Sequence, residues 1–191
     1  MGKLSAAKGV MVLLDALERL APRVPGLRLH VVGSGEGPET ETIRARMARM
    51  GPLVVAHGQI AQAELAEVMR RATVCVLPSF YEGVPLVLVE AVASGCRLVA
   101  TALPGVVEEL APHLAFALDL VPLPRMLGVD APHPAGLPDL VSALDVALGR
   151  AIAGPPVARD PAALARALAP FTWAEVFRRV SEVWRDLLGL G

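Results

Sequence analysis

Two glutamates and two lysines are the side chains whose types and spacing point most directly to chemistry in this sequence. Glu82 lies in a turn and Glu90 eight residues further on, inside an otherwise apolar stretch. Lys3 and Lys8 are the two lysines among 18 basic side chains; the rest are arginines. Carboxylates accept hydrogen bonds from hydroxyl groups, and a compact ammonium group meets a phosphate as a point charge. The set predicts a site for a diphosphate that carries sugars.

The stretch around these glutamates predicts a strand, a glycine turn and a helix in succession. Residues 73–77 form an apolar run, typical of a buried strand, which Pro78 closes. Gly83 opens the turn, Pro85 suits the first position of a helix, and Gly95 suits its end. Free N–H groups at such a helix N-terminus, at the edge of a sheet, commonly hold anionic ligands. The stretch therefore positions a ligand site.

The remaining pattern alternates strands with helices, which predicts an α/β fold with a parallel sheet covered by helices on both faces. We expect further strands at 27–32, 53–56, 98–101 and 114–118, and further helices at 10–20, 39–50, 63–71, 105–110, 140–153 and 161–169. Residues 2–9 are expected to form a loop. The predicted organisation is a single domain, residues 1–191, with a sheet core over about 2–120, a proline-rich irregular loop over 121–138 and carboxy-terminal helices over 139–191.

The last helix is predicted to begin after Thr172, because Glu175 three residues on completes a capping-box pattern. Its apolar positions include Trp173, Phe177 and Trp184, and charges of both signs occupy the other face. Mixed charge favours a helix that packs against protein over one that lies on a membrane surface. We expect part of this face to be uncovered and to promote self-association.

Composition excludes several classes of protein. A net charge of -1 over 191 residues gives no electrostatic basis for nucleic-acid binding. No apolar run reaches the roughly 18 residues of a transmembrane helix, and the start lacks a signal-peptide core. Cys75 and Cys96 lie in apolar contexts and are expected to be buried, free thiols. A cytoplasmic location follows as the expectation.

The sequence lacks the patterns of several other chemistries. We find no metal-ligand spacing, no Gly-x-Ser-x-Gly nucleophile turn and no phosphate loop ending in Gly-Lys-Ser/Thr. The run from Gly33 to Pro38 is similar to a dinucleotide-binding fingerprint, but Pro38 stands at its final glycine position. A Rossmann dinucleotide-binding domain stays as a less favoured alternative, and no metal or cofactor is expected.

Several segments, in order along the chain, resemble the donor-binding, carboxy-terminal domain of retaining glycosyltransferases of family four (group 1). Together they cover about residues 2–110, and the helix at Trp173 resembles the terminal helix of that family. The matching segments are Gly2 to Gly9 with Leu13-Leu14-Asp15-Ala16, Gly33 to Pro38, Val76 to Ser79, the E-x7-E pattern from Glu82 to Glu90 with Ala91 and Gly95, and Thr101 to Glu108.

The resemblance implies the carboxy-terminal half of a GT-B fold, built of Rossmann-like domains, and a nucleotide-diphospho-sugar as donor substrate. It implies that Lys8 and Lys3 bind the donor phosphates and that Glu90 binds the ribose. It also implies that Glu82 is a catalytic residue and binds hydroxyls of the donor sugar. The resemblance further implies that the donor sugar is bound by the backbone of Gly83, Val84, Pro85 and Leu86. The residues expected to border the base are Gly33, Gly35, His57, Gly58, Gln59 and Ile60.

The sequence departs from the family in three places. Lys3 stands where the family usually has arginine, and Pro104-Gly105 replaces a Gly-Gly pair. The acceptor-binding first domain and the strand expected ahead of Gly2 are missing from the 191 residues. The resemblance thus implies a partner, the amino-terminal acceptor domain, without which no transfer is expected, and in the whole enzyme a peripheral place at the inner membrane face. A binding module that holds a nucleotide sugar without catalysis is the alternative.

Overall fold

The structure is a computed structural model that describes residues 2–157 and 160–189. The chain divides into two compact units, residues 1–157 and residues 158–191. The first unit contains every strand described and all the residues predicted to bind a ligand. The second contains two helices.

The strands of the first unit are all parallel and form two sheets of three strands each. The first sheet has the order β1-β2-β3 and the second β4-β5-β6. Because the strands are parallel, their carboxyl ends lie at one edge of each sheet, where α/β proteins bind ligands. The strands are β1 (Gly2–Lys3), β2 (Leu29–Ser34), β3 (Val54–Gly58), β4 (Val74–Leu77), β5 (Arg97–Thr101) and β6 (Leu118–Val121).

Helices connect these strands, as parallel pairing requires. The helices of the first unit are α1 (Val10–Leu20), α2 (Pro38–Arg49), α3 (Gln62–Arg71), α4 (Leu86–Ala93), α5 (Ala111–Leu114) and α6 (Leu137–Ala153). A π-helical turn, Gly105–Leu110, leads into α5. The α/β class predicted from the alternation of elements is confirmed.

Two apolar clusters hold the first unit together. The larger joins α1 and α6 to the second sheet and includes Leu13, Val99 and Leu144, all essentially buried. The smaller joins α1 and α2 beside β2 and includes Leu14 and Ile43. The two clusters occupy different sides of α1, because its apolar residues recur with helical spacing over more than one face.

Several predicted bounds differ from the structure. Residues 2–3 were predicted to be a loop but form a short strand that pairs with β2. The sequence does not show this strand, because two residues are too few for a recognisable strand pattern. The strand predicted at 114–118 is wrong: the chain is still helical at Leu114, and β6 begins at Leu118. Pro85 precedes α4 rather than opening it, with φ −78° and ψ 89°. The irregular loop ends earlier than predicted, because α6 begins at Leu137.

The second unit contains α7 (Pro161–Leu168) and α8 (Trp173–Leu188). The Thr172 hydroxyl accepts a hydrogen bond from the Glu175 N–H at 3.3 Å, which confirms the predicted N-cap. Hydrogen bonds from Arg178 and Arg179 lower the pKa of Glu175 to about 2. The apolar side chains of α8 are exposed, with Trp173 at 76% and Trp184 at 65%.

Candidate functional site

The loop from residue 4 to residue 9, between β1 and α1, links the carboxyl ends of the two sheets. The Leu4 N–H donates to the Ser34 carbonyl at the end of β2, at 2.9 Å. The Ala7 carbonyl accepts from the Phe80 N–H, just beyond β4, at 2.8 Å. Gly9 is left-handed, with φ +63°, and a Cβ there would collide with the Pro78 carbonyl oxygen. This loop therefore fixes Lys8 beside the turn that follows β4.

Lys8 and Glu82 meet at this junction. The Lys8 Nζ donates to the Glu82 Oε1 at 2.6 Å, and the two side chains are 31% and 18% exposed. The Ser79 hydroxyl donates to the same carboxylate oxygen at 2.8 Å. Lys8 is expected to bind phosphate and Glu82 to bind sugar hydroxyls. The two residues are in direct contact although they lie 74 positions apart in the sequence.

Ser79 is itself held in place by the neighbouring strand β5. Its side chain is fully buried, and its carbonyl accepts a hydrogen bond from the buried Thr101 hydroxyl at 2.5 Å. Thr101 ends β5, which pairs with β4. The end of one strand thus supports the residue that orients Glu82, so the carboxylate has a defined position on a rigid base.

The turn after Glu82 packs closely on the loop that follows β5. A Cβ at Gly105 would collide with the Gly83 carbonyl oxygen, so glycine is required for this approach. Val84 and Leu86 are largely exposed, whereas Pro85 is buried. The turn is anchored at its proline and presents its other residues to solvent.

Helix α4 begins at Leu86, directly after this turn, and its first N–H groups lack partners within the helix. Glu90 lies one turn further along α4 and is exposed. Its carboxylate makes no hydrogen bond or ion pair with any other residue in the part of the chain that the structure describes. It is therefore open to a ligand.

The other predicted site residues lie at the carboxyl ends of β1, β2 and β3. Lys3 is exposed and pairs with Ser34, one position beyond the Gly2 and Gly33 pair. Gly35 leaves room for the Thr40 hydroxyl, which donates to the Leu4 carbonyl at 2.9 Å. Gly35 thus allows the backbone at this edge of the first sheet to lie against the Thr40 side chain.

The predicted base-bordering segment, residues 57–60, ends β3 and leads into α3. Gly58 is left-handed, with φ +69°. His57 stacks on His30 of β2, with ring centroids 5.2 Å apart and ring nitrogens at 2.9 Å. Burial, then the nearby His57 and Arg28, lower the pKa of His30.

Sequence reasoning gave no role to Ser79, Thr101, Gly9 or Gly105. Ser79 stands inside the quoted motif, but nothing local shows that its hydroxyl meets Glu82. Thr101 and the two glycines act through contacts with residues distant in sequence. The signal available was weak: a polar residue at the end of an apolar strand, and glycines next to predicted loops.

Comparison with known proteins identifies the family. Residues 1–118 match the model of the glycosyl transferases group 1. The chain belongs to the group 1 glycosyltransferases. This group 1 chain is 36% identical to the glycogen synthase of Mycobacterium tuberculosis over 107 residues, which are 56% of this chain and 26% of that relative. The resemblance predicted from sequence is confirmed at the level of the family.

Solved structures of glycosyltransferases share the fold. The sucrose-phosphate synthase of Thermosynechococcus elongatus superimposes with a TM-score of 0.69 and 25% identity, over 100% of this chain and 45% of that one. The pneumococcal O-GlcNAc transferase in complex with UDP and GlcNAc gives 0.68 and 17%, over 98% and 35%. These are GT-B enzymes, and this glycosyltransferase chain spans less than half the length of each.

Two further properties of this glycosyltransferase chain concern its described residues, 2–157 and 160–189. None of their helices is both long enough and apolar enough to cross a membrane. They contain no group of three or more His, Cys, Asp or Glu side chains that could hold a metal ion.

Proposed function

We propose that residues 1–157 bind the nucleotide-diphospho-sugar donor of a retaining, metal-independent glycosyltransferase. The observation that carries the proposal is the contact between Lys8 and Glu82 at the junction of the two sheets. It brings a cation suited to phosphate and a carboxylate suited to sugar hydroxyls into one place. Membership of the group 1 family supports the same reaction class.

The remaining roles follow from position along the site. The free N–H groups at the start of α4 add donors for the diphosphate, and the helix dipole favours its negative charge. Glu90, exposed and without a side-chain partner among the described residues, is proposed to accept hydrogen bonds from the ribose hydroxyls. Lys3 and the edges of β2 and β3 would border the phosphate and the base.

Glu82 is proposed to bind the donor sugar at its hydroxyls, beside the reacting carbon. Its position is fixed by hydrogen bonds from the Ser79 hydroxyl and the Lys8 ammonium group. When the diphosphate takes Lys8, the Ser79 bond still orients the carboxylate. In this arrangement no metal is needed, because the ammonium and the helix N-terminus meet the charge of the phosphates.

Titration calorimetry with UDP, GDP, ADP and their glucose or mannose conjugates tests this function. We predict that Lys8→Met lowers affinity for the preferred diphosphate by about 10-fold or more, the scale of a hydrogen bond to a charged group. Arg70→Met is the matched control, since Arg70 lies in the last turn of α3, towards the opposite, amino end of β4, and pairs with Glu67.

Three outcomes would contradict the proposal. The first is the absence of binding to any of these compounds by the folded chain. The second is binding that EDTA abolishes, because strict dependence on a divalent ion would remove the proposed role of Lys8. Equal losses in Lys8→Met and Arg70→Met would likewise show that the effect is not specific to the site.

A further inference from the structure

The loop from residue 4 to residue 9, which carries Lys8, is held on two sides. One side is hydrogen-bonded to the segment just beyond β4. On the other side, the first turn of α2 makes two contacts with the loop backbone. The Glu39 carboxylate accepts a hydrogen bond from the Ala6 N–H at 2.6 Å, and the Thr40 hydroxyl donates to the Leu4 carbonyl at 2.9 Å. Helix α2 therefore helps to fix the loop.

The buried polar residues of the chain lie at the same junction. Within residues 2–157 and 160–189, the polar or charged residues that are buried are Thr40, Ser79 and Thr101. A buried hydroxyl is costly unless it is hydrogen-bonded, so the partner of each is informative. Ser79 and Thr101 support Glu82 from the second sheet. Thr40, on the first sheet's side, contacts the loop that carries Lys8.

The segment from Gly33 to Pro38 leads from β2 into α2 and adds to this contact. The Thr40 hydroxyl also lies within hydrogen-bond distance of the Glu36 carbonyl, at 3.3 Å. A Cβ at Gly35 would collide with the same hydroxyl, so glycine is required for the segment to lie against it. The edge of β2, proposed to border the base, is thus connected to the loop that carries Lys8.

We infer that Glu39 is a positioning residue for Lys8. Its carboxylate holds the Ala6 N–H, and the Ala6 carbonyl accepts from the Gly9 N–H at 2.8 Å, so the turn from Ala6 to Gly9 has a fixed place relative to α2. Glu39 acts on the phosphate through this turn, by directing the Lys8 ammonium group to the junction of the two sheets. The inference rests on the proposed function, because its effect is on the phosphate that Lys8 binds.

An acidic residue in the first turn of a helix also interacts favourably with the helix dipole, which is a purely structural role. Glu41 separates the two roles. It lies in the same first turn of α2, is exposed, and makes no hydrogen bond or ion pair with any residue that the structure describes. Glu41→Ala is therefore the matched control, because it removes the same charge from the same turn and leaves the contact with the loop intact.

A double-mutant cycle with Lys8→Met tests the inference, by calorimetry with whichever of UDP, GDP and ADP the wild type binds most tightly. We expect Glu39→Ala to weaken binding about 3- to 10-fold in the wild-type background and to have little effect in the Lys8→Met background, where no cation remains to be positioned. Glu39→Gln should stay within about two-fold of the wild type, because its amide oxygen still accepts from the Ala6 N–H. Glu41→Ala should bind as the wild type does.

Four results would overturn the inference and leave the proposed function in place. They are wild-type affinity in Glu39→Ala, equal losses in the two Lys8 backgrounds, equal losses in Glu39→Ala and Glu41→Ala, and a loss in Glu39→Gln as large as that in Glu39→Ala. Failure of the proposed function is recognised separately, because it requires that the wild type binds none of the three diphosphates or that Lys8→Met alone leaves the affinity unchanged. Either of those results would overturn the inference as well.

Discussion

At the scale of single residues, the site depends on two carboxylates in different surroundings. Glu82 is mostly buried and held by Lys8 and Ser79, whereas Glu90 is exposed on α4 and makes no side-chain hydrogen bond or ion pair within 2–157 and 160–189. A held carboxylate suits a position beside a reacting centre, and an open one suits hydrogen bonding to a ligand that arrives from solvent. The two glutamates should therefore respond differently to mutation.

Glu90→Gln should weaken binding of the bare nucleoside diphosphate by about 1–3 kcal/mol, since a charged acceptor for two ribose hydroxyls is replaced by a neutral one. Calorimetry on the folded variant measures this loss. Glu67→Gln, at an exposed carboxylate of α3, is the control. Unchanged affinity in Glu90→Gln would remove the ribose role of this residue.

Glu82→Ala should leave the affinity for the bare diphosphate unchanged or raised, because Lys8 is freed from its carboxylate partner. The same variant should weaken the sugar-bearing donor, whose hydroxyls lose an acceptor. The ratio of the two dissociation constants, by calorimetry, is the measurement. If both ligands lose affinity equally, Glu82 has a structural role instead.

At the scale of elements, we expect the histidine pair across β2 and β3 to make the stability of the first unit decline in acid. The pKa of His30 is lowered in the folded chain from its ordinary value of 6.5. As pH falls, His30 therefore takes up a proton in the unfolded chain before it does so in the folded chain. The contribution of the neutral His30 to the free energy of unfolding is complete above pH 6.5 and declines below it.

We predict that the urea midpoint falls between about pH 7.5 and pH 5, and that His30→Gln reduces this fall. His57→Gln should reduce it by less, since His57 is the second cause of the shift, after burial. Identical pH profiles for the wild type and His30→Gln would exclude the histidine pair as the source.

Sequence patterns predict some elements of this fold well and others poorly, for physical reasons. The bounds of α1 are correct, because apolar spacing and Gly9 mark them locally. The run at 114–118 is short and apolar, and periodicity alone does not separate a helix end from a strand. The motif predicts which residue types the candidate site contains, and their roles stay predictions. The support of Glu82 by Ser79 and Thr101 could not be predicted, because it arises from strand pairing across 22 positions.

At the scale of the whole molecule, we predict that the purified 191-residue chain binds donor but does not transfer sugar. Transfer requires an acceptor nucleophile held at near-attack distance, and positioning supplies a large part of the rate enhancement. We propose that an amino-terminal acceptor domain provides this wall. Its addition in trans should restore turnover and raise the unfolding midpoint by linkage.

The test measures release of nucleoside diphosphate and of glycosylated product, with and without a separately produced acceptor domain from a group 1 relative. Glu82→Ala in the presence of that domain controls for contaminating activity. Measurable glycosyl transfer by the isolated chain would contradict the prediction. Donor binding by calorimetry in the same preparation shows that the chain is competent.

The ion pair between Lys8 and Glu82 has a consequence for which anions can enter. The charges of Lys8 and Glu82 cancel, so we expect a phosphate that binds Lys8 to replace the Glu82 carboxylate rather than to meet an unpaired ammonium group. Inorganic phosphate is expected to make that exchange unfavourably, because it places a second negative charge beside the Glu82 carboxylate and brings no sugar hydroxyls to it. A ligand that carries both phosphates and hydroxyls compensates both residues at once. With the proposed function, we therefore expect the pair to favour the sugar-bearing donor over small anions such as inorganic phosphate.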